Sequence, residues 1–342
     1  MKGAVIHGAL LAGALGVAWQ TWTRDRAVAP PSASLTVWPA GAVEAVALHG
    51  ALRDVTVEKR GDYFWATVKK TSAPPPRPAA PDAGMSILED KPPTVTTSEF
   101  PVGEDGDKAL ARLAPLKALR DLGAAKDQAD YGLGEQSDKL TVRAGGASHE
   151  LVLGARVFGG DDRYALEPGG GHVFVVAGET LRPFDAPEFS LRERKLHGFA
   201  LDDVGEVALR AGGKERTLVH LGKAAPPPEG PRAPRPGAQS WADAKTPDKP
   251  DQTLANFMDR VEQLAPTEYA PDLDEKSLTP VAAFEYRAKG GAVLGTVALA
   301  KKPAQSAGTF DYYVKSERTR GLAKVAAAAA AKVEQDLGTM LP

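Results

Sequence analysis

The chain has 342 residues, 42 Lys and Arg against 44 Asp and Glu, and a formal net charge of -2. That balance offers no clustered basic excess and gives no footing to a nucleic-acid partner. The absence of cysteine excludes disulfides, thiolate metal sites and cysteine nucleophiles. A hydrophobic share of 43% with 25% charged residues is that of a globular body.

Residues 3–23 form an uncharged run rich in Ala, Leu, Gly and Val, set between Lys2 and Arg24-Asp25-Arg26. A helix of roughly 20 apolar residues crosses a bilayer core. Val5, Ile6, Leu10, Leu11, Leu15 and Val17 would face lipid, and Trp19 and Trp22 suit the headgroup interface. Ala12-Gly13-Ala14 has the small residues of a signal-peptidase site. The apolar run continues past it, so the expected element is an uncleaved signal-anchor over 1–26. A cleaved signal peptide and a buried helix are the rival readings. Lys2 and the amino terminus outweigh Arg24 and Arg26 offset by Asp25, which orients the body away from the cytoplasm. The expected location is a bacterial inner membrane, single-pass, with the body in the periplasm.

The remainder reads as two passes of one pattern, over 35–190 and 199–342. The first opens on alternating strands over 43–48 and 55–65, with Arg60-Gly61-Asp62 as the turn. A proline-rich insert follows over 72–98. Leu110, Leu113, Leu116, Leu119 and Leu122 then predict a helix over 107–122, which Pro115 should kink or split. Strands are expected over 140–143, 149–153, 163–166 and 172–176, the last two joined by Gly169-Gly170-Gly171. The second pass opens with strands over 204–209 and 215–220, then a proline-rich insert over 224–250. Leu254, Phe257, Met258, Val261 and Leu264 share one face of a helix over 252–264. Strands near 281–287 and 293–299 follow, and an alanine-rich helix over 325–337 closes the chain. The predicted class is α+β: an N-terminal transmembrane helix, then two tandem antiparallel-sheet-plus-helix modules.

No catalytic arrangement stands out. Gly213-Lys214 is followed by Glu215 and Gly222-Lys223 by Ala224, so no Walker-type phosphate loop is present. There is no nucleophile elbow. None of His7, His49, His149, His172, His197 and His220 lies within five residues of another, so no local metal-ligand pair is visible. Asp161-Asp162 and Asp202-Asp203 read as turn and cap residues before calcium ligands. The expectation is no enzyme, no cofactor and no metal. The candidate interaction residues are Trp65 and Trp241, each flanking a proline-rich insert, and the basic pair Arg192 and Arg194 at the joint between passes. Core packing for the tryptophans and an ordinary solvated face for the arginines are the plainer readings of these residues.

One layout resembles these features. Leu113-Ala114-Pro115-Leu116 precedes Tyr131-Gly132-Leu133, then Glu150-Leu151-Val152-Leu153-Gly154, Asp162-Arg163-Tyr164-Ala165-Leu166 and His172-Val173-Phe174-Val175-Val176. This is similar to the domain-of-unknown-function family encoded beside gliding-motility-type ABC transporter genes. The resemblance implies a membrane-anchored, non-catalytic accessory of an ABC-type transport system, whose partner is the permease or another envelope protein. The alternatives are a structural or ligand-binding envelope protein recognising polysaccharide or peptide, and, last, an anchored hydrolase.

Overall fold

The computed structural model describes residues 35–72, 93–124, 127–223 and 239–341. The expected anchor over 1–26, with Val5, Ile6, Leu10, Leu11, Leu15, Val17, Trp19 and Trp22, lies outside the described residues. Among the described residues no helix is long and apolar enough to cross a membrane.

The α+β expectation is corrected: the body is mostly antiparallel sheet. The first sheet holds β1 (Leu35–Trp38), β2 (Val43–His49), β3 (Arg53–Arg60), β4 (Tyr63–Ser72), β5 (Thr94–Pro101), β6 (Leu116–Ala124), β7 (Asp138–Ala144), β8 (Ala147–Arg156), β9 (Arg163–Leu166) and β10 (His172–Val176). The second holds β11 (Val204–Ala211), β12 (Lys214–Lys223), β13 (Gln239–Asp243), β14 (Pro266–Tyr269), β15 (Thr279–Ala288), β16 (Val293–Pro303), β17 (Phe310–Ser316) and β18 (Ala323–Val325). The helices are α1 (Glu104–Ala111), α2 (Gly178–Asp185), α3 (Pro187–Ser190), α4 (Gln252–Glu262) and α5 (Ala327–Met340).

Spatial order in the first sheet is β1-β6-β10-β9-β8-β7-β2-β3-β4-β5, and in the second β13-β12-β11-β15-β16-β17-β18-β14. Read from β4 to β6 and from β13 to β14, the two orders coincide element for element. In both, a helix follows the first meander, and the chain then crosses to place the next strand beyond the last hairpin. The tripeptide Leu113-Ala114-Pro115 leads into β6, and Leu264-Ala265-Pro266 leads into β14. The first sheet adds β5 and β1 at its two edges. As a result the proline-rich stretches leave from unlike places. Counted outward from β2, the first joins the third and fourth strands; counted outward from β11, the second joins the second and third.

Two local expectations fail for physical reasons. The helix expected over 107–122 is α1 followed by β6. A leucine every third residue satisfies a helix template, but after Pro115 it is Leu116 and Ala118 that are buried, with Lys117 outward. That is a strand's period of two, fixed by pairing with β10 and β1. Leu119 and Leu122 fall where the β6–β10 register shifts, and both are exposed. The second failure is at the trailing ends of the expected inserts, which are the strands β5 and β13. Thr94, Val95, Thr96 and Thr97 are β-branched and pair with 69–72 of β4.

Buried rows run straight across each sheet. Val68, Val55, Leu48, Leu140 and Leu151 are successive cross-strand partners in the first. Leu209, Phe284 and Val297 are successive partners in the second. Helix α4 lays Leu254, Phe257, Met258 and Val261 onto this core, and packs against β13 and α5. Its N-cap is Asp251, whose carboxylate accepts from the amide of Thr253 at 2.7 Å. One contiguous apolar core extends from Trp38 to Met340, so both sheets share it.

Candidate functional site

The sheets meet through the segment that follows α3. Its backbone joins the open edge of β5: Gly103 donates to the Leu191 carbonyl at 2.8 Å and Glu193 donates to the Pro101 carbonyl at 2.9 Å. Val102 and Arg192 form an isolated antiparallel bridge. On the other side, the Arg192 guanidinium donates to the Thr267 carbonyl of β14, and the Tyr269 hydroxyl donates to the Glu193 carbonyl at 3.0 Å. The segment is therefore a splice between two sheet edges. Gly106 makes room for it, because a Cβ there would lie 2.7 Å from the Leu191 carbonyl oxygen.

Glu193 is the charged centre of the splice and is only 4% exposed. One carboxylate oxygen accepts from the amides of Arg194 and Lys195 at 2.9 and 2.8 Å. The other meets Arg318 at 2.5 Å. Burying a carboxylate is tolerated when its lone pairs are filled in this way. The loop that carries Arg318 also reaches the first sheet. Arg320, at φ 55, lays its guanidinium 3.8 Å from the centre of the Tyr63 ring and pairs with Asp62 at 3.3 Å. A left-handed non-glycine residue is a strained one, held by what its side chain grips.

Beside the splice lies a cavity of about 680 Å³, lined by Glu104, Asp107, Lys195, His197, Glu262 and Arg318 among others. The His197 ring stacks on Phe199 with centroids 4.2 Å apart. Its Nε2 is 2.6 Å from Glu262 Oε2 and its Nδ1 is 3.0 Å from the Phe199 carbonyl. Tyr286 donates to the other Glu262 oxygen at 2.7 Å. Both imidazole nitrogens face acceptors, which suits the doubly protonated ring. Burial pushes the His197 pKa down, but the Glu262 carboxylate outweighs it and the net direction is up. Burial, then Glu262, holds the Tyr286 phenol well above its ordinary range. Burial also raises Asp107, with Arg318 opposing in part. The His197 ring is thus held between a carbonyl and a carboxylate, and Asp107 and Lys195 line the same cavity.

The expected site residues are not brought together here. Trp65 is buried in β4, where its indole donates to Glu99 at 3.1 Å. Trp241 is 1% exposed in β13, against His220. Neither offers an open ring face to a sugar or a proline ligand. Arg192 belongs to the splice, and Arg194 stacks on Phe189 at 4.2 Å. Sequence reasoning missed the roles of His197, Glu193, Glu262, Tyr286 and Arg318, because each depends on a partner in another element: Glu262 lies 65 positions from His197 and 24 from Tyr286, and Arg318 lies 125 from Glu193. Glu262 did carry a faint signal, as a carboxylate closing an otherwise apolar helix face. Among the described residues no group of three or more metal-ligating side chains converges.

The architecture is two antiparallel sheets of shared strand order, joined edge to edge by the splice. The family is then explicit: a model for the domain of unknown function DUF4340 matches residues 105–281, a little over half of the chain, and the chain belongs to that family. The match starts in α1, runs through the splice and ends in β15. No curated protein and no solved structure matches.

Proposed function

We propose that this chain is a membrane-tethered, extracytoplasmic, non-catalytic accessory of an ABC-type transport system that acts through protein contacts. The observation that carries the reading is the splice. It joins two sheets into one surface, and its buried carboxylate Glu193 is saturated by two amides and an arginine. Tethering is supported by the apolar run over 3–23, and the transport association by the family resemblance carried by residues 113–176. The experiment is protease accessibility on spheroplasts followed by purification from detergent extract. The protein should stay with membranes, be digested from outside, and bring down an ABC permease. Repeated recovery without a permease removes the transport assignment, and a protein protected in spheroplasts removes the topology.

A further inference from the structure

The charges around the cavity beside the splice cancel in pairs until one of each sign is left. Lys195 pairs with Glu104 at 2.8 Å and His197 with Glu262 at 2.6 Å. Arg318 is held by Glu193 at 2.5 Å. Glu104 also meets Lys108 at 2.8 Å, and the second oxygen of Glu262 accepts from Tyr286. Two lining residues stand outside these pairs. The Asp107 carboxylate has no hydrogen bond or ion pair among the described residues, and Arg318 acts on it through charge alone. Arg194 has no carboxylate partner among them either; its guanidinium lies 4.2 Å from the centre of the Phe189 ring. Stacking of that kind covers a face of the guanidinium and leaves the donors along its edge free for a carboxylate.

The leftover charges specify a ligand. Asp107 and Arg194 line one cavity and do not pair with each other. A dication would bring a like charge to Arg194, and a dianion would bring one to Asp107. A neutral sugar would leave both unmatched. A molecule with one ammonium and one carboxylate matches both. The remaining lining includes Leu196, Phe199, Leu264 and Ala265, which suits an apolar body on that molecule. At about 680 Å³ the cavity lies within the roughly 300–1,000 Å³ of small-molecule sites. We propose that this cavity binds a small zwitterion with an apolar body, of the class of apolar amino acids and short peptides, its ammonium on Asp107 and its carboxylate on Arg194. The burial that raises the Asp107 pKa acts in the same direction, because it marks a carboxylate not yet neutralised by a cation. This inference rests on the cavity alone and stands whether or not a permease is recovered with the protein.

The test is calorimetric titration of the full-length protein in detergent with L-leucine and the dipeptide Leu-Leu, beside N-acetyl-Leu-Leu and Leu-Leu-amide. Acetylation removes the ammonium and amidation the carboxylate, so each capped form is expected to bind roughly tenfold more weakly than Leu-Leu, the loss of one charge-assisted contact. Tighter binding of Leu-Leu than of leucine assigns the site to peptides, and the reverse order to free amino acids. Asp107→Asn should bind Leu-Leu and its acetylated form alike while still discriminating against the amide. Arg194→Gln should show the converse. Neither side chain is ion-paired, so both variants should melt with the parent. The capped ligands test the parent protein without any substitution. Absence of binding by both leucine and Leu-Leu at millimolar concentration overturns the inference, as does equal binding of capped and free dipeptide, or discrimination that both variants leave unchanged.

Discussion

The two sheets reach one strand order by different means. The second carries its core under long helices: α4 has 11 residues and α5 has 14. The first has only short ones, with α1 and α2 at 8 residues each. It makes up the difference with edge strands and with Trp38, whose indole donates to the Leu113 carbonyl at 2.6 Å and so pins the α1–β6 turn from β1. The lesson is that strand order is specified by hairpin pairing and by the crossing after the helix, while the covering layer is free to vary.

The sharpest way to break the equivalence is at the joint. Arg318→Ala leaves Glu193 buried without its cation and should cost about 3–5 kcal/mol. The checking measurement is urea unfolding read by tryptophan fluorescence, with Trp241 reporting the second sheet and Trp38 and Trp65 the first. A single transition is expected for the parent, and two for the variant if the splice is what couples the sheets.

The repeated tripeptide tests equivalence within the halves. Leu113 and Leu264 are 0% and 2% exposed. Alanine at either should cost about 2–5 kcal/mol. Equal losses by calorimetry would mean the two crossings are energetically alike; a larger loss at Leu113 would mean the first half leans on its short turn. Gly106→Ala should cost about 1–3 kcal/mol by forcing α1 off the splice, with no counterpart in α4.

His197 belongs to the second half's end of the joint and gives a pH signature. Its pKa is raised in the folded state from an ordinary 6.5. Its contribution is therefore fully present below that value and drains away as pH rises through the folded value. Stability should fall with rising pH above 6.5, and Glu262→Gln should flatten that part of the profile. The smallest effect is expected at Arg320→Ala, about 0.5–1 kcal/mol from the lost contact with the Tyr63 ring.

Much of the sheet framework was legible in the sequence. Alternation over 43–48 and 204–209, the Gly61 turn, and the helix face from Leu254 to Val261 all carry their own periodicity. Reading α1 and β6 as one helix failed because leucine spacing alone cannot tell three from two when a proline intervenes. Trp65 and Trp241 were read from their place beside the inserts, but exposure is a property of the layer above them, which no local pattern records.

The sequence by itself determined the apolar run at the amino end, the absence of cysteine chemistry, the hairpins and the one strongly amphipathic helix. These depend on neighbours a few residues apart, where period and turn chemistry decide. Only the tertiary structure decided that β5 and β14 share a splice, that Glu193 finds Arg318 across 125 positions, and that a carboxylate and an imidazole meet beside the cavity. Long-range pairs of this kind are selected by burial and charge in the assembled body, because a buried ion must find its counter-ion wherever the packing places it.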